Sequence, residues 1–555
     1  MNMRRRETAE MTKENKNRKI ISAVLTLLLF VFFGLIFYTN LSCVPEYYNS
    51  DMLCDINYAR EAWRAKSLFP DNWIFGNQLY VFATPVLAAL IYGITSNAVI
   101  AMAIASCIMT VAVYLSFDWM LKPLCSYNER LGGFLVMIWF ILVRRHIAAD
   151  TLGAQIFFTM ASFYAGYIIA AFIVFGCYIR IRKNVWKKTD YIFLAVSLIL
   201  SFALGIQSLR QTAIMTLPLV ACEIILIIID SVRRKKLSLT KSTAFTAGIF
   251  ASNIAGLIAV KFLKINQKSI YGETKIEFSV HRIIGNIVDN IINICKLFKS
   301  VNMPKFVSVI IAAAVVGLIV FGVVAGIVNL AKTKCEDTTD FSVILLFLLG
   351  CASVFFIGVF TQVETREIYY FMVFPLVAVC SAFLLKSYPI KAKYFYIVFA
   401  VMFVGLTGLR AVTVCKEIKT GTDSENSSYK AAQYAIDNGY ECIFASFESG
   451  ENVFVAADDK LSIVFYGNEV DKDYFVPIDY LCIKDSYLKY DNEKTLYYMK
   501  ERQIKSETEA AERLGVKVEK VAEFKDGSCL CRMSENVCAL AQKQWDEKNS
   551  AVNAG

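Results

Sequence analysis

The chain has 555 residues, 56% of them hydrophobic and 14% aromatic, with a formal charge of +10. Its apolar residues fall into repeated runs of membrane-spanning length, which excludes a soluble protein of ordinary composition. The Lys and Arg lie in short loops between those runs and build no basic face, which argues against a nucleic-acid partner.

The charge is unevenly spread. Residues 421–555 carry 16 Lys and Arg against 25 Asp and Glu, a balance of −9 that leaves +19 for the rest. The positive-inside rule predicts this asymmetry if the tail lies outside the cell. Residues 1–19 form a basic tail with Arg4, Arg5, Arg6, Arg18 and Lys19. The apolar run 20–38 that follows lacks a small-residue cleavage site, so it reads as a retained first helix with a cytoplasmic N-terminus.

Residues 41–96 form a long outer loop containing "NSDMLCDINYAREAWRAK" at 49–66, a helix of mixed charge, and the apolar stretch 79–95 with Pro85. Counting 79–95 as a span would place "RIRKNVWKK" (180–188) outside, so it is expected to lie half-inserted on the outer face. Further spans are expected near 97–116, 131–144, 162–179, 191–206, 212–231, 243–262, 303–330, 341–360, 369–385 and 394–412. That makes about eleven helices in a transmembrane region over 20–412. The loops this leaves in the cytoplasm are basic: 180–188, 233–236, Lys332 with Lys334, and 386–393. A second outer loop at 263–301 reads as an amphipathic segment lying at the interface, and two such loops on one face predict a roofed cleft. Beyond 421, β-rich runs ("ECIFASF", "LSIVFYG", "VKVEKVAEF", "GSCLCRM") alternate with helical ones, predicting a small extracytoplasmic α/β domain over 421–545. The 16 Cys show no zinc spacing, and both free thiols and a disulfide among Cys442, Cys482, Cys529, Cys531 and Cys538 fit the pattern.

Several charges stand where topology does not ask for them. Arg144, Arg145 and His146, Arg210 in "GIQSLRQT", Arg366 in "QVETREIYY", and Lys261 with Lys264 all fall at outer helix ends. Ionisable groups at membrane depth are costly unless paired or used. Guanidinium forks suit phosphate oxygens, so converging arginines would make a lipid-phosphate site. Each has a plainer alternative: snorkelling for Arg144 and Arg145, an ion pair with Glu364 or Glu367 for Arg366, and a surface position for His281 beside Arg282. Opposite such a site, Asp51 or Asp55 would supply a general base, four residues apart and able to share a helix face. The plainer alternative is that Asp51 caps its helix and Asp55 pairs with Arg60.

The segment "NSDMLCDINYAREAWRAKSLFPDNWIFGNQL" resembles the first outer loop of the GT-C superfamily of integral-membrane glycosyltransferases, which includes protein O-mannosyltransferases and aminoarabinose transferases. "RRHIAAD" is similar to that family's Arg-gap-acid element (Arg145, Asp150), and "REIYYFMVFP" to its late span motif (Arg366, Tyr370, Pro375). The resemblance implies transfer of a sugar, with inversion, from a polyprenyl-phosphate donor to a glycan, lipid or protein acceptor at the outer face of the cell membrane. Asp51 takes the place of the catalytic acid, whereas the family's adjacent second acid is Met52 here, with Asp55 as its stand-in. Arg144, Arg145, Arg210 and Arg366 become the candidate phosphate ligands, and His146, Asp150, Gln207, Tyr370 and Glu273 candidate substrate contacts. Some members need a divalent metal held by acids and others do not, which leaves the metal open; Glu273 and Glu277 could approach from the second outer loop. The rival class is a transporter or flippase of lipid-linked saccharides, which should show internal repeats or midplane charges. A sensing protein acting through its tail is a third.

Overall fold

The computed structural model describes residues 2–143, 154–160, 163–268, 275–297, 304–363, 365–447, 449–467 and 474–554. A long first helix α1 (Asn2–Leu41) is followed by α2 (Ser50–Ala65), the two-residue strand β1 (Trp73–Ile74), α3 (Thr84–Thr95), α4 (Ala98–Leu121) and α5 (Tyr127–Val143). Next come α6 (Ala165–Lys183) and α7 (Asp190–Gln207), then the short α8 (Leu209–Gln211), which passes through a π turn at Thr212–Thr216 into α9 (Leu217–Arg234). α10 (Lys241–Ala259), α11 (Val280–Lys296), α12 (Lys305–Lys332), α13 (Thr339–Phe360), α14 (Val373–Ser387) and α15 (Pro389–Gly421) complete the bundle.

Ten helical stretches among the described residues are long and apolar enough to cross a membrane. They coincide with ten of the expected spans, and the chain is a multi-pass membrane protein. The remaining expected span, 131–144, falls on α5, which is described over Tyr127–Val143. α5 runs between the two ends of the bundle. At its start Asn128 donates to the Arg18 carbonyl (3.2 Å) of α1. At its finish the carbonyls of Leu142 and Val143 accept from the Arg410 guanidinium (2.8 and 3.1 Å) of α15. α5 is buried almost throughout, so neighbouring helices rather than lipid surround its described residues. α3, with 12 residues, is about 18 Å long and too short to span, as the positive-inside argument requires.

Where α7 crosses α10, a Cβ on Gly256 would lie 2.1 Å from the Phe202 carbonyl oxygen and one on Gly205 2.3 Å from that of Asn253. Two glycines let the backbones touch, a common way for helices to pack when lipid is the alternative neighbour.

The four basic loops gather at one end of the bundle. There Arg182 donates to Glu223 (3.3 Å), Asp230 (3.1 Å) and the Thr338 hydroxyl (2.8 Å), tying α6 to α9 and to the start of α13. Both acids are buried, and Glu223 also accepts from Tyr178 (2.6 Å). Removing one partner strands buried charge, so Arg182→Ala should lower stability by about 3–5 kcal/mol, measured by thermal unfolding in nanodiscs; unchanged stability would mean water reaches the acids.

The opposite end carries both long loops and the C-terminal domain. The Phe75 amide donates to Asn266 O (2.8 Å) and the Lys268 amide to Phe75 O (2.9 Å), so the two loops meet. The domain comprises α16 (Ser427–Asp437), β2 (Cys442–Ser446), α17 (Glu451–Ala456), β3 (Ser462–Tyr466), β4 (Cys482–Ile483), β5 (Thr495–Met499), α18 (Glu501–Arg513), β6 (Val518–Glu523), β7 (Cys529–Met533) and α19 (Val537–Ala554). Five strands form a sheet in the order β3-β2-β5-β7-β6, parallel over the first three and antiparallel beyond. Alternate residues feed two cores: Cys442, Phe444 and Tyr497 pack towards α18 and α19, Ile443, Ala445 and Tyr498 towards α16 and α17. Burial on both faces explains the near-continuous apolar run of β2. All the cysteines are free thiols, which settles the choice that the sequence left open.

Candidate active site

Helix α2 starts at Ser50 because the Asn49 side chain accepts the Met52 amide (3.0 Å). Asp51 is therefore not the cap. It stands in the first turn, where the helix dipole favours negative charge. Asp51 is solvent-exposed, yet desolvation by surrounding protein raises its pKa while the Arg366 charge pulls it down. An exposed carboxylate that protein mass still desolvates opens into a cleft, not onto a convex surface.

Asp55, one turn later, is buried and accepts the Tyr80 hydroxyl at 2.5 Å. Its expected partner Arg60 is taken elsewhere. Burial pushes the Asp55 carboxyl up to about 7, opposed by the Tyr80 bond and assisted by the Asp51 charge. Tyr80 itself packs into an aromatic group with Tyr58 (ring centroids 4.5 Å apart) and Phe75 (6.0 Å).

A folded-state pKa above the unfolded value means that the folded chain holds the Asp55 proton after the unfolded chain has lost it. Stability should therefore fall as pH rises from about 4 to about 7, by up to ~1.4 kcal/mol per pH unit, and level off above. Asp55→Asn keeps an acceptor for Tyr80 and should flatten that window in thermal unfolding; an unchanged slope would assign the pH dependence to another group.

Arg366, exposed, lies just before a 3-10 turn at Glu367–Tyr370. Within that turn Tyr370 is buried and donates to Asn290 of α11, away from the cleft. Tyr369 takes the cleft side, its ring 4.9 Å below the Arg210 guanidinium. Arg210 also lies 5.0 Å over the Tyr164 ring and donates to the Tyr164 hydroxyl at 3.0 Å. Two aromatic faces hold that cation by its quadrupole attraction. Tyr164 in turn feels the charges of both Arg210 and Asp51. Asp51, Arg366, Tyr369, Arg210 and Tyr164 thus form one neighbourhood built from α2, the α13–α14 connection, α8 and the start of α6.

Gln207 is buried at the end of α7, where its side chain accepts the amides of Val81 (3.1 Å) and Phe82 (2.8 Å) and its carbonyl that of Leu79 (2.9 Å). It pins the first loop beside Tyr80, a structural task. Glu277 is bonded to the Ser279 amide (2.9 Å) and Arg282 (3.3 Å) at the start of α11. Arg144, Arg145, His146, Asp150 and Glu273 lie outside the described residues. Among the described residues no three His, Cys, Asp or Glu gather as a metal site would need, and one of the two acids here is already held by Tyr80. The described acids alone do not make a cation site, and Asp150 and Glu273 lie outside the described residues.

The far half of α2 is gripped by the C-terminal domain. Arg60 donates to Asp459 at 2.9 Å in a buried pair and to Asn57 at 3.0 Å, and Glu61 accepts from Asn72 (3.0 Å). β1 pairs antiparallel with β4, Trp73 opposite Ile483. The helix that carries Asp51 is thereby fixed from above by the domain.

Tyr164, Tyr369 and Tyr80 were not singled out by sequence. Tyr369 adjoins a nominated residue, but the other two offered no local signal.

No family model matches the chain, and no curated protein matches it. Among solved structures it is similar to ArnT from Cupriavidus metallidurans in the apo state, with a TM-score of 0.46 and 10% identity over 93% of this chain and 98% of that one. It is similar to the same protein bound to undecaprenyl phosphate, with a TM-score of 0.45, 10% identity and the same coverage.

Proposed function

We propose that the chain is a glycosyltransferase that moves a sugar from a polyprenyl-phosphate donor to an acceptor hydroxyl, with inversion, at the end of the bundle bearing the loops and the C-terminal domain. What supports this reading is that Asp51 on the first loop lies within electrostatic reach of Arg366 on a distant one and of Tyr164, while Tyr164 and Tyr369, three residues from Arg366, hold Arg210 between them. The resemblance of the first loop to GT-C enzymes agrees with it. Asp51 takes the proton from the acceptor O–H as that oxygen attacks the anomeric carbon. The bond from that carbon to the phosphate oxygen breaks on the opposite side, and its electron pair leaves with the phosphate. Arg366 and Arg210 stabilise the charge that develops there, joined by Arg144 and Arg145 as the sequence suggests. Burial of Asp55 behind Asp51 disfavours a second negative charge in the cleft. The basic end faces the cytoplasm, which puts the site and the acidic domain outside.

The test is a reconstitution in nanodiscs with a polyprenyl phosphate bearing a radiolabelled sugar. Release of unglycosylated polyprenyl phosphate, dependent on the chain and on an acceptor extract, is expected. Intact donor crossing a vesicle membrane with no cleavage would replace the enzyme by a flippase.

A further inference from the structure

Helix α11 presents three different surfaces. At about 100° per residue, Asn286, Asn290 and Asn293 fall on one side, Val280, Ile284, Val288, Ile291 and Ile292 on a second, and Arg282, Asp289 and Lys296 on a third. The asparagine side faces protein. Asn286 donates to the carbonyls of Val359 (3.2 Å) and Thr361 (3.5 Å), and Asn293 to that of Thr365 (2.7 Å). Asn290 Oδ1 accepts from the hydroxyls of Thr365 (2.8 Å) and Tyr370. The apolar side is bare, from 46% exposed at Ile292 to 70% at Val280. The charged side is exposed as well.

A helix that turns asparagines, with the half-buried Ile283, Ile287 and Ile294, towards its own protein and a bare apolar side outward departs from the pattern of a soluble amphipathic helix. With charges on its remaining flank, it fits the plane of a membrane surface, acyl chains on one side and water on the other. Exposed Phe356 and Phe360 stand at the end of α13, which packs against α11, and exposed Phe306, Val309 and Ile310 at the start of α12, both spanning helices. The stretch that the asparagines grip, 359–370, carries Arg366 and Tyr369.

We propose that the lipid leaflet at the site's end of the bundle covers the apolar side of α11, and that this seating, passed on through Asn286, Asn290 and Asn293, holds the Arg366–Tyr369 segment in place. The three asparagines are then positioning residues. The cleft keeps its shape at a membrane surface, and an anion held by Arg366 meets it at headgroup depth; that last clause alone rests on the transfer reading.

The full chain in nanodiscs tests this without any measurement of sugar transfer. Fluorescence added by Ile284→Trp should fall about twofold or more when brominated phosphatidylcholine replaces the ordinary lipid, whereas that added by Leu488→Trp, at an exposed position in the C-terminal domain, should not. In Ile284→Lys/Val288→Lys, amide hydrogen exchange over 361–370 should quicken about tenfold while β5 keeps its protection. An unquenched Trp at 284, as a second copy covering the helix would give, overturns the proposal, and so does unchanged exchange over 361–370. Should the double variant lose β5 protection and so be unfolded, Asn293→Ala, which removes the bond to Thr365 and leaves the lipid side intact, must quicken the same segment or the proposal falls.

Discussion

Asp51→Asn should lower kcat for sugar transfer by about 10²–10⁴-fold, the range that removal of a positioned general base produces. The change is isosteric, and the start of α2 does not depend on it, because Asn49 supplies the cap. Asp51 is exposed, so no buried partner is stranded. Loss of rate with unchanged thermal unfolding would therefore report chemistry, and the donor KM should move far less than kcat if the carboxylate acts in the transition state. Asp51→Glu, which restores the acid on a longer arm, should recover part of the rate. A variant with full activity would remove Asp51 from the reaction and leave the cleft as a binding site.

The spans were legible because a bilayer demands about 20 apolar residues in a row and the cation bias settles their direction. That bias also told α3 from a span. The four noticed strands of the C-terminal domain appear as expected, but β5, wedged between "DNEK" and "KERQIK", was missed: its five residues are all buried, and so short a run carries no periodicity of its own.

Within the site, Asp51, Asp55, Arg210 and Arg366 could be nominated because charges near a membrane need a reason. Their partners could not. In "NSD" three residues in a row can cap a helix, and only the fold selects Asn49. Tyr80 reaches Asp55 from 25 residues away, and Asp459 reaches Arg60 from the far domain; no local pattern announces either. Tyr370 was nominated where Tyr369 faces Arg210, because a 3-10 turn advances about 120° per residue and a one-residue difference selects the opposite side. Arg410 went unnoticed since sequence alone does not place it beside the Leu142 and Val143 carbonyls that it bonds.

Arg366→Gln should lower kcat/KM for the polyprenyl-phosphate sugar by about 10²–10³-fold, the usual loss when one charge-stabilising donor leaves an active site. A second signature separates this from mere loosening. The Arg366 charge holds the Asp51 pKa down against desolvation, so its removal lets that pKa rise. The base is active only when ionised, and the acid limb of the rate profile should accordingly move to higher pH in Arg366→Gln. Arg366→Lys keeps the charge but gives up the planar fork: its acid limb should stay near that of the parent chain while kcat/KM still falls, by less than in the Gln variant. Equal limbs in all three proteins, measured from pH 4 to 8 with unfolding monitored alongside, would separate Arg366 from Asp51 and dissolve the pairing on which the transfer mechanism stands. A shifted limb with a normal kcat/KM would instead keep the pairing and assign the phosphate to Arg210 and its two tyrosines.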